Sequence, residues 1–205
     1  MPSDAVTHVI DDDEAVRHSI EFLLRAANID VKVYDSAVAF LAALPAIKSG
    51  CVVTDVRMPE MDGLELQRRL AELHPQLPVI IITGHADVPL AVQAMKAGAV
   101  DFIEKPFSDE VILASIETAL KRRRSGAPAG VSGPFAERLG RLTPRERDVF
   151  HQLIVGHPNK VIAYNLNISA RTVEIHRARV MEKMQVRSLP ELVRLAIEAG
   201  VEIPR

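Results

Sequence analysis

Across the first 120 residues, apolar positions gather in short runs at 6–10, 31–34, 52–53, 79–82 and 100–103, weaker at 31–34 and continuous at 52–53 and 79–82. Between the runs they recur at helical spacing. In 14–27, Val16, Ile20, Leu23 and Leu24 share one stripe, and 36–44, 64–73, 87–97 and 108–123 repeat the period. Runs without alternation describe strands covered on both faces, as in a parallel sheet. Strand and helix alternate five times. Parallel neighbours need crossover connections, which are nearly always right-handed, so the pattern predicts an α/β domain over 1–123: a five-stranded parallel, doubly wound sheet with helices on both faces.

The pattern changes after the basic run 121–124. Residues 125–134 are small and rich in Gly and Pro, and a linker is expected over 124–140. From 141 to 205 the punctuation is helical. Thr143, Pro144 and Glu146 form a capping box with proline at the first helical position, and Ser188 to Glu191 repeats the device for a last helix reaching about Ala199. Between them, 159–166 and 170–184 read as helices joined by Asn167, Ile168 and Ser169, with Ser169 capping the second. A helix, a tight turn and a longer helix predict a helix-turn-helix in a second, all-α domain.

At 100° per residue, Val173, Val180 and Met184 form the buried stripe of the longer helix. Arg171, Glu174, Ile175, Ala178 and Arg179 fall opposite. Arginine reads guanine, glutamate accepts from cytosine and apolar groups meet the thymine methyl, so this face suits a major groove. Thr172, Lys160, Arg177 and Lys183 are expected on phosphates.

Charge sharpens the division. Residues 1–120 carry 9 Lys and Arg against 19 Asp and Glu, and 121–205 carry 16 against 8. The formal balances, −10 and +8, point the second half at a polyanion and would draw the two halves together on one tether. The single cysteine, Cys51, precludes an intramolecular disulfide and reads as a buried strand residue. No apolar run approaches the ~18 residues of a membrane span, and the early acids Asp4 and Asp11 to Asp13 do not suit a signal peptide. A cytoplasmic protein without a membrane partner is the expectation.

Chemistry collects at the carboxyl ends of the strand candidates, where open α/β sheets bind ligands. Asp11, Asp12 and Asp13 follow the first run, Asp55 ends the third, Thr83 follows the fourth, and Lys105 follows the fifth. Crowded carboxylates need a counter-charge, and Mg²⁺ (or Mn²⁺) takes carboxylate and carbonyl oxygens together with a phosphate. With Asp11 or Asp12, Asp55 and a carbonyl just after it as ligands, Asp55 can attack a phosphoryl donor while Lys105 steadies the oxygens and Thr83 bonds the product.

The residues that carry this chemistry also carry a resemblance. Ile-Asp-Asp-Asp at 10–13, Asp-Val-Arg-Met-Pro-Glu-Met-Asp-Gly at 55–63, Ile-Thr-Gly-His at 82–85 and Phe-Ile-Glu-Lys-Pro-Phe at 102–107 resemble the receiver domain of two-component response regulators. The resemblance implies a flavodoxin-like fold, Asp55 as phosphoacceptor, Asp11, Asp12 and the Arg57 carbonyl as metal ligands beside Asp55, and Lys105 as the phosphate-binding lysine. It implies Thr83 and Phe102 as a switch pair, with Phe102, lacking a hydroxyl, acting by packing. The face of 87–97 and 100–103 is then expected to change shape on phosphorylation and to become a dimer contact. His85 reads as a loop histidine near the site, and His176 as bordering the helix core.

Leu-Thr-Pro-Arg-Glu-Arg at 142–147, Asn-Lys-Val-Ile-Ala at 159–163, Asn-Ile-Ser at 167–169, Thr-Val-Glu-Ile-His at 172–176 and Glu-Lys-Met-Gln-Val at 182–186 resemble the LuxR-type DNA-binding domain. Glu174 departs from the lysine common there, so only the binding mode carries over. The whole chain resembles the FixJ subfamily. That implies a histidine kinase as phosphoryl donor, promoter DNA of nitrogen-fixation genes as target, RNA polymerase as partner, and a homodimer when phosphorylated. Two other classes stand beside it. A magnesium phosphohydrolase would want a second acid two residues after Asp55, where Arg57 stands, and a phosphate-independent scaffold would not need the acid, hydroxyl and lysine set.

Overall fold

The computed structural model describes residues 5–85, 87–125 and 132–201. Chain order runs β1 (Val6–Ile10), α1 (Glu14–Ala26), β2 (Val31–Tyr34), α2 (Ala37–Ala43), a 3-10 turn (Leu44–Ala46), β3 (Gly50–Asp55), α3 (Gly63–Leu73), β4 (Val79–Thr83), α4 (Val88–Lys96), β5 (Asp101–Glu104) and α5 (Asp109–Ser125). The five strands form one parallel sheet in the order β2-β1-β3-β4-β5. Every strand expected from the apolar runs is present. The order reverses direction between β1 and β3, which is the switch point that opens a crevice at the strands' carboxyl ends.

One face of the sheet, with Val9, Cys51, Val53, Ile80, Ile82 and Ile103, packs with Ile20 and Leu24 of α1 and Ile112, Ile116 and Ala119 of α5. Cys51 is buried as expected, and burial pushes its thiol up to about 11. On the other face His8 and Tyr34 each meet the Phe40 ring edge to face and lie tilted to one another.

The second unit holds α6 (Ser132–Gly140), α7 (Pro144–Val155), α8 (Asn159–Leu166), α9 (Ala170–Met184) and α10 (Leu189–Glu198). The capping box expected at Thr143 and Glu146 forms in both directions, and Ser169 caps α9 and Ser188 caps α10 through their side chains. Asn167 ends α8 in the left-handed region, a conformation asparagine tolerates, which makes the tight turn into α9. Val173, Val180 and Met184 are fully buried, so the stripe read from the sequence is the packed one.

One expectation changes. The linker placed at 124–140 carries α6 from Ser132, where Phe135 is buried and its ring lies 6.3 Å from that of Phe150. One aromatic anchor amid glycines and a proline hid this helix from periodicity.

Candidate phosphoacceptor site and DNA interface

β1 and β3 are hydrogen-bonded neighbours, so their carboxyl ends deliver Asp11 and Asp55 to one place. Both are nearly closed to solvent, 1% and 5% exposed. Lys105 reaches back from the end of β5 and sets its ammonium 2.6 Å from Asp11 Oδ2 and 2.7 Å from Asp55 Oδ1. Burial pushes the Asp11 carboxyl up, against the pull of Lys105. Burial acts on Lys105 in the opposite sense, but its two carboxylate bonds prevail and hold the ammonium above its usual value. Two carboxylates thus share a single cation, leaving the cluster short of positive charge.

The remaining bonds orient the site. Asp11 Oδ1 accepts the Asp13 N–H at 3.0 Å, and Arg17 donates to the Asp11 carbonyl at 2.7 Å. Asp13 itself caps α1 by accepting from the Ala15 and Val16 N–H groups, so of the three consecutive acids one is buried, one exposed and one spent on a helix end. Asp55 Oδ2 accepts the Arg57 N–H, which fixes the start of the following loop. That loop turns back closely: a Cβ on Gly63 would lie 2.1 Å from the Asp55 carbonyl oxygen, so only glycine fits there. Glu60, in the left-handed region, completes the turn.

Thr83 is buried at the end of β4, where Asp55 pairs with its predecessor Ile82. Its hydroxyl accepts the His85 N–H at 3.2 Å, and its carbonyl accepts the Lys105 N–H at 2.8 Å. His85 is exposed, and Phe102, the other member of the expected switch pair, is buried. Asp11, Asp55 and Lys105 therefore converge, with Thr83 at the end of the strand beside Asp55, while Asp12 stands exposed next to Asp11 in sequence. Among the described residues no group of three His, Cys, Asp or Glu side chains is arranged to hold a metal. Two buried hard-oxygen carboxylates with a charge deficit nevertheless fit Mg²⁺, which commonly takes one or two carboxylates and fills its octahedron with water and phosphate. Arg17 escaped the sequence reading, having no signal beyond its place one turn into α1.

In the second unit, Arg171, Glu174, Ile175, Ala178 and Arg179 are exposed along α9, as the helical period requires. Lys160 on α8 is exposed as well, and Arg177 is half-buried. Thr172 bonds Ser169 through its hydroxyl at 2.8 Å, joining the helix cap. His176 is half-buried, and its Nδ1 is closed to solvent. Lys183, expected on a phosphate, makes contacts within the domain. Its ammonium lies 2.6 Å from Glu146 Oε2 and also donates to the Arg141 carbonyl, so here it ties α9 to the capping box of α7. No local pattern signals this pair, because Glu146 and Lys183 are far apart along the chain. Burial works against the Glu146 charge, but the bonds from Lys183 and Thr143 outweigh it and hold the carboxyl at about 2.

Among the described residues no helix is long and apolar enough to cross a membrane. The family described as response regulator receiver domain matches residues 7–117, and that described as bacterial regulatory proteins, luxR family, matches 140–196. The transcriptional regulatory protein FixJ of Bradyrhizobium diazoefficiens is 52% identical over 195 residues, covering 95% of each chain. FixJ of Rhizobium meliloti is 51% identical, over 97% of this chain and 98% of its own. A crystal structure of full-length FixJ from B. japonicum is 50% identical and covers 98% of this chain and 99% of that one, with a TM-score of 0.58. These relatives are regulators of transcription, not enzymes. A sheet whose switch point gathers an acid pair and a lysine, followed by a capped helix-turn-helix, thus places the chain among the two-component response regulators of the FixJ subfamily, receiver joined to LuxR-type DNA-binding domain.

Proposed function

We propose that Asp55 accepts a phosphoryl group from a partner histidine kinase, and that this modification promotes dimerisation and promoter binding. The observation that supports this most is the Lys105 ammonium held between Asp11 and Asp55. Asp55 is the nucleophile: its carboxylate oxygen bonds to phosphorus as the donor's bond to phosphorus breaks, giving an acyl phosphate. Mg²⁺ held by Asp11, Asp12, Asp55 and the Arg57 carbonyl supplies the positive charge that phosphoryl transfer needs. Lys105 follows the phosphoryl oxygens, and the Thr83 hydroxyl, released from the His85 N–H, turns to bond them, so that Phe102 repacks.

In the second domain Arg171, Glu174, Ile175, Ala178 and Arg179 face the bases, and Lys160, Thr172 and Arg177 meet phosphates. Likeness to FixJ proteins supports a cytoplasmic activator that acts with RNA polymerase on nitrogen-fixation promoters. The test is oligomer size and promoter-fragment affinity in Mg²⁺, with and without a small phosphodonor, for the wild type and Asp55→Asn. A donor-dependent dimer with tighter DNA binding, seen only in the wild type, is expected. Equal binding by both proteins in all conditions would remove Asp55 as the switch.

A further inference from the structure

On α8, only Ile162 is fully buried, and the helix presents its opposite side to solvent. With Ile162 at zero, Lys160 and Tyr164 lie at about 160° and 200°, one turn apart on that outer side. Tyr164 is 87% exposed, more than any other large apolar side chain among the described residues. Its neighbour Asn165 is turned to Gln152 at 2.8 Å, and Val161 is partly exposed beside it. A whole aromatic ring in water, tipped by a hydroxyl without a hydrogen bond to the described residues, suits a partner that is polar at one level and less polar behind it.

We propose that Tyr164 is a backbone-contacting residue of the DNA interface: its hydroxyl donates to a phosphate oxygen adjoining the one paired by Lys160, with the ring against the sugar. The proposal rests on the DNA-binding reading above. In a helix-turn-helix the second helix enters the major groove while the first crosses the backbone, and tyrosine hydroxyls are among the groups that fix register there. Charge selects nucleic acid over a protein partner, since Lys160 shares the face and 121–205 carries 16 Lys and Arg against 8 Asp and Glu.

The test uses the full chain with phosphodonor and Mg²⁺, and a random-sequence duplex of about 30 base pairs as probe, long enough for a dimer footprint. Affinity is measured across a salt series for the wild type, Tyr164→Phe, Tyr164→Ala and Lys160→Met. Loss of one hydrogen bond weakens Tyr164→Phe by about fivefold, and Tyr164→Ala by tenfold or more. Because phenol carries no charge, both keep the wild-type salt slope, whereas Lys160→Met lowers it by about one. Unchanged thermal unfolding shows that the exposed site tolerates the changes. Wild-type affinity in both tyrosine variants overturns the proposal. So does loss of transcription with polymerase at unchanged DNA affinity, which would make the face a protein contact. Failure of the wild type to bind the duplex would instead sink the DNA-binding reading itself.

Discussion

Lys105 shows how much one side chain can carry. It is shared by two buried carboxylates and offsets part of their charge, and removing it leaves like charges facing each other. Lys105→Met is expected to lower stability at pH 7 by about 2–3 kcal/mol, somewhat less than for a fully enclosed pair because the lysine keeps some solvent. Urea unfolding measures the loss, and added Mg²⁺ should recover part of it by supplying the missing charge. A second buried group, His8, plays no part in the phosphoacceptor chemistry. Burial, aided by Lys32, holds its imidazole down at about 4 from 6.5, while Nδ1 bonds the Tyr34 hydroxyl at 3.3 Å. The folded state thus prefers the neutral ring. Its contribution is full above pH 6.5 and is lost as pH falls toward 4, a difference on the order of 3 kcal/mol. Stability measured against pH should decline across that window, and His8→Phe should flatten the decline.

Elements were legible to the extent that their cause is local. The five strands follow from short, mainly apolar runs, and α7, α9 and α10 from a hydroxyl cap just before a periodic stretch. The site was legible for a related reason: Asp11, Asp55, Thr83 and Lys105 each end a strand, so strand order alone brings them together. What stayed hidden depends on how side chains pack. The Arg17 bond to the Asp11 carbonyl, the burial of Phe135 and the Glu146–Lys183 pair are decided by packing, which periodicity does not encode. That pair lends α7 a pH dependence. With Glu146 held at about 2 against an ordinary 4.5, its contribution is present above pH 4.5 and is lost as pH falls toward 2. Thr143→Ala should cost about 1 kcal/mol at neutral pH by removing the cap. Glu146→Gln should suppress the acid-dependent part of the loss, and paired thermal unfolding curves at pH 6 and pH 3 separate the two effects.

Across the whole chain, chemistry and recognition are divided between units of opposite charge, so DNA affinity should answer to salt as well as to phosphorylation. Each basic side chain that displaces a counterion adds nearly one to the slope of log affinity against log salt. Lys160, exposed on α8, is proposed for that class, whereas Arg171, exposed at the start of α9, is proposed to meet a base edge. The two therefore fail differently. Lys160→Met should weaken all duplexes alike and reduce the slope by about one. Arg171→Ala should cost about 1–3 kcal/mol on a selected site and far less on random sequence, relaxing preference at one base position. Comparing both variants on a wild-type-selected duplex and a random one, over a salt series with phosphodonor present, resolves the assignment. If Arg171→Ala weakened both duplexes equally, α9 would be holding the backbone rather than reading the groove, and the base-reading face would have to be sought on another helix.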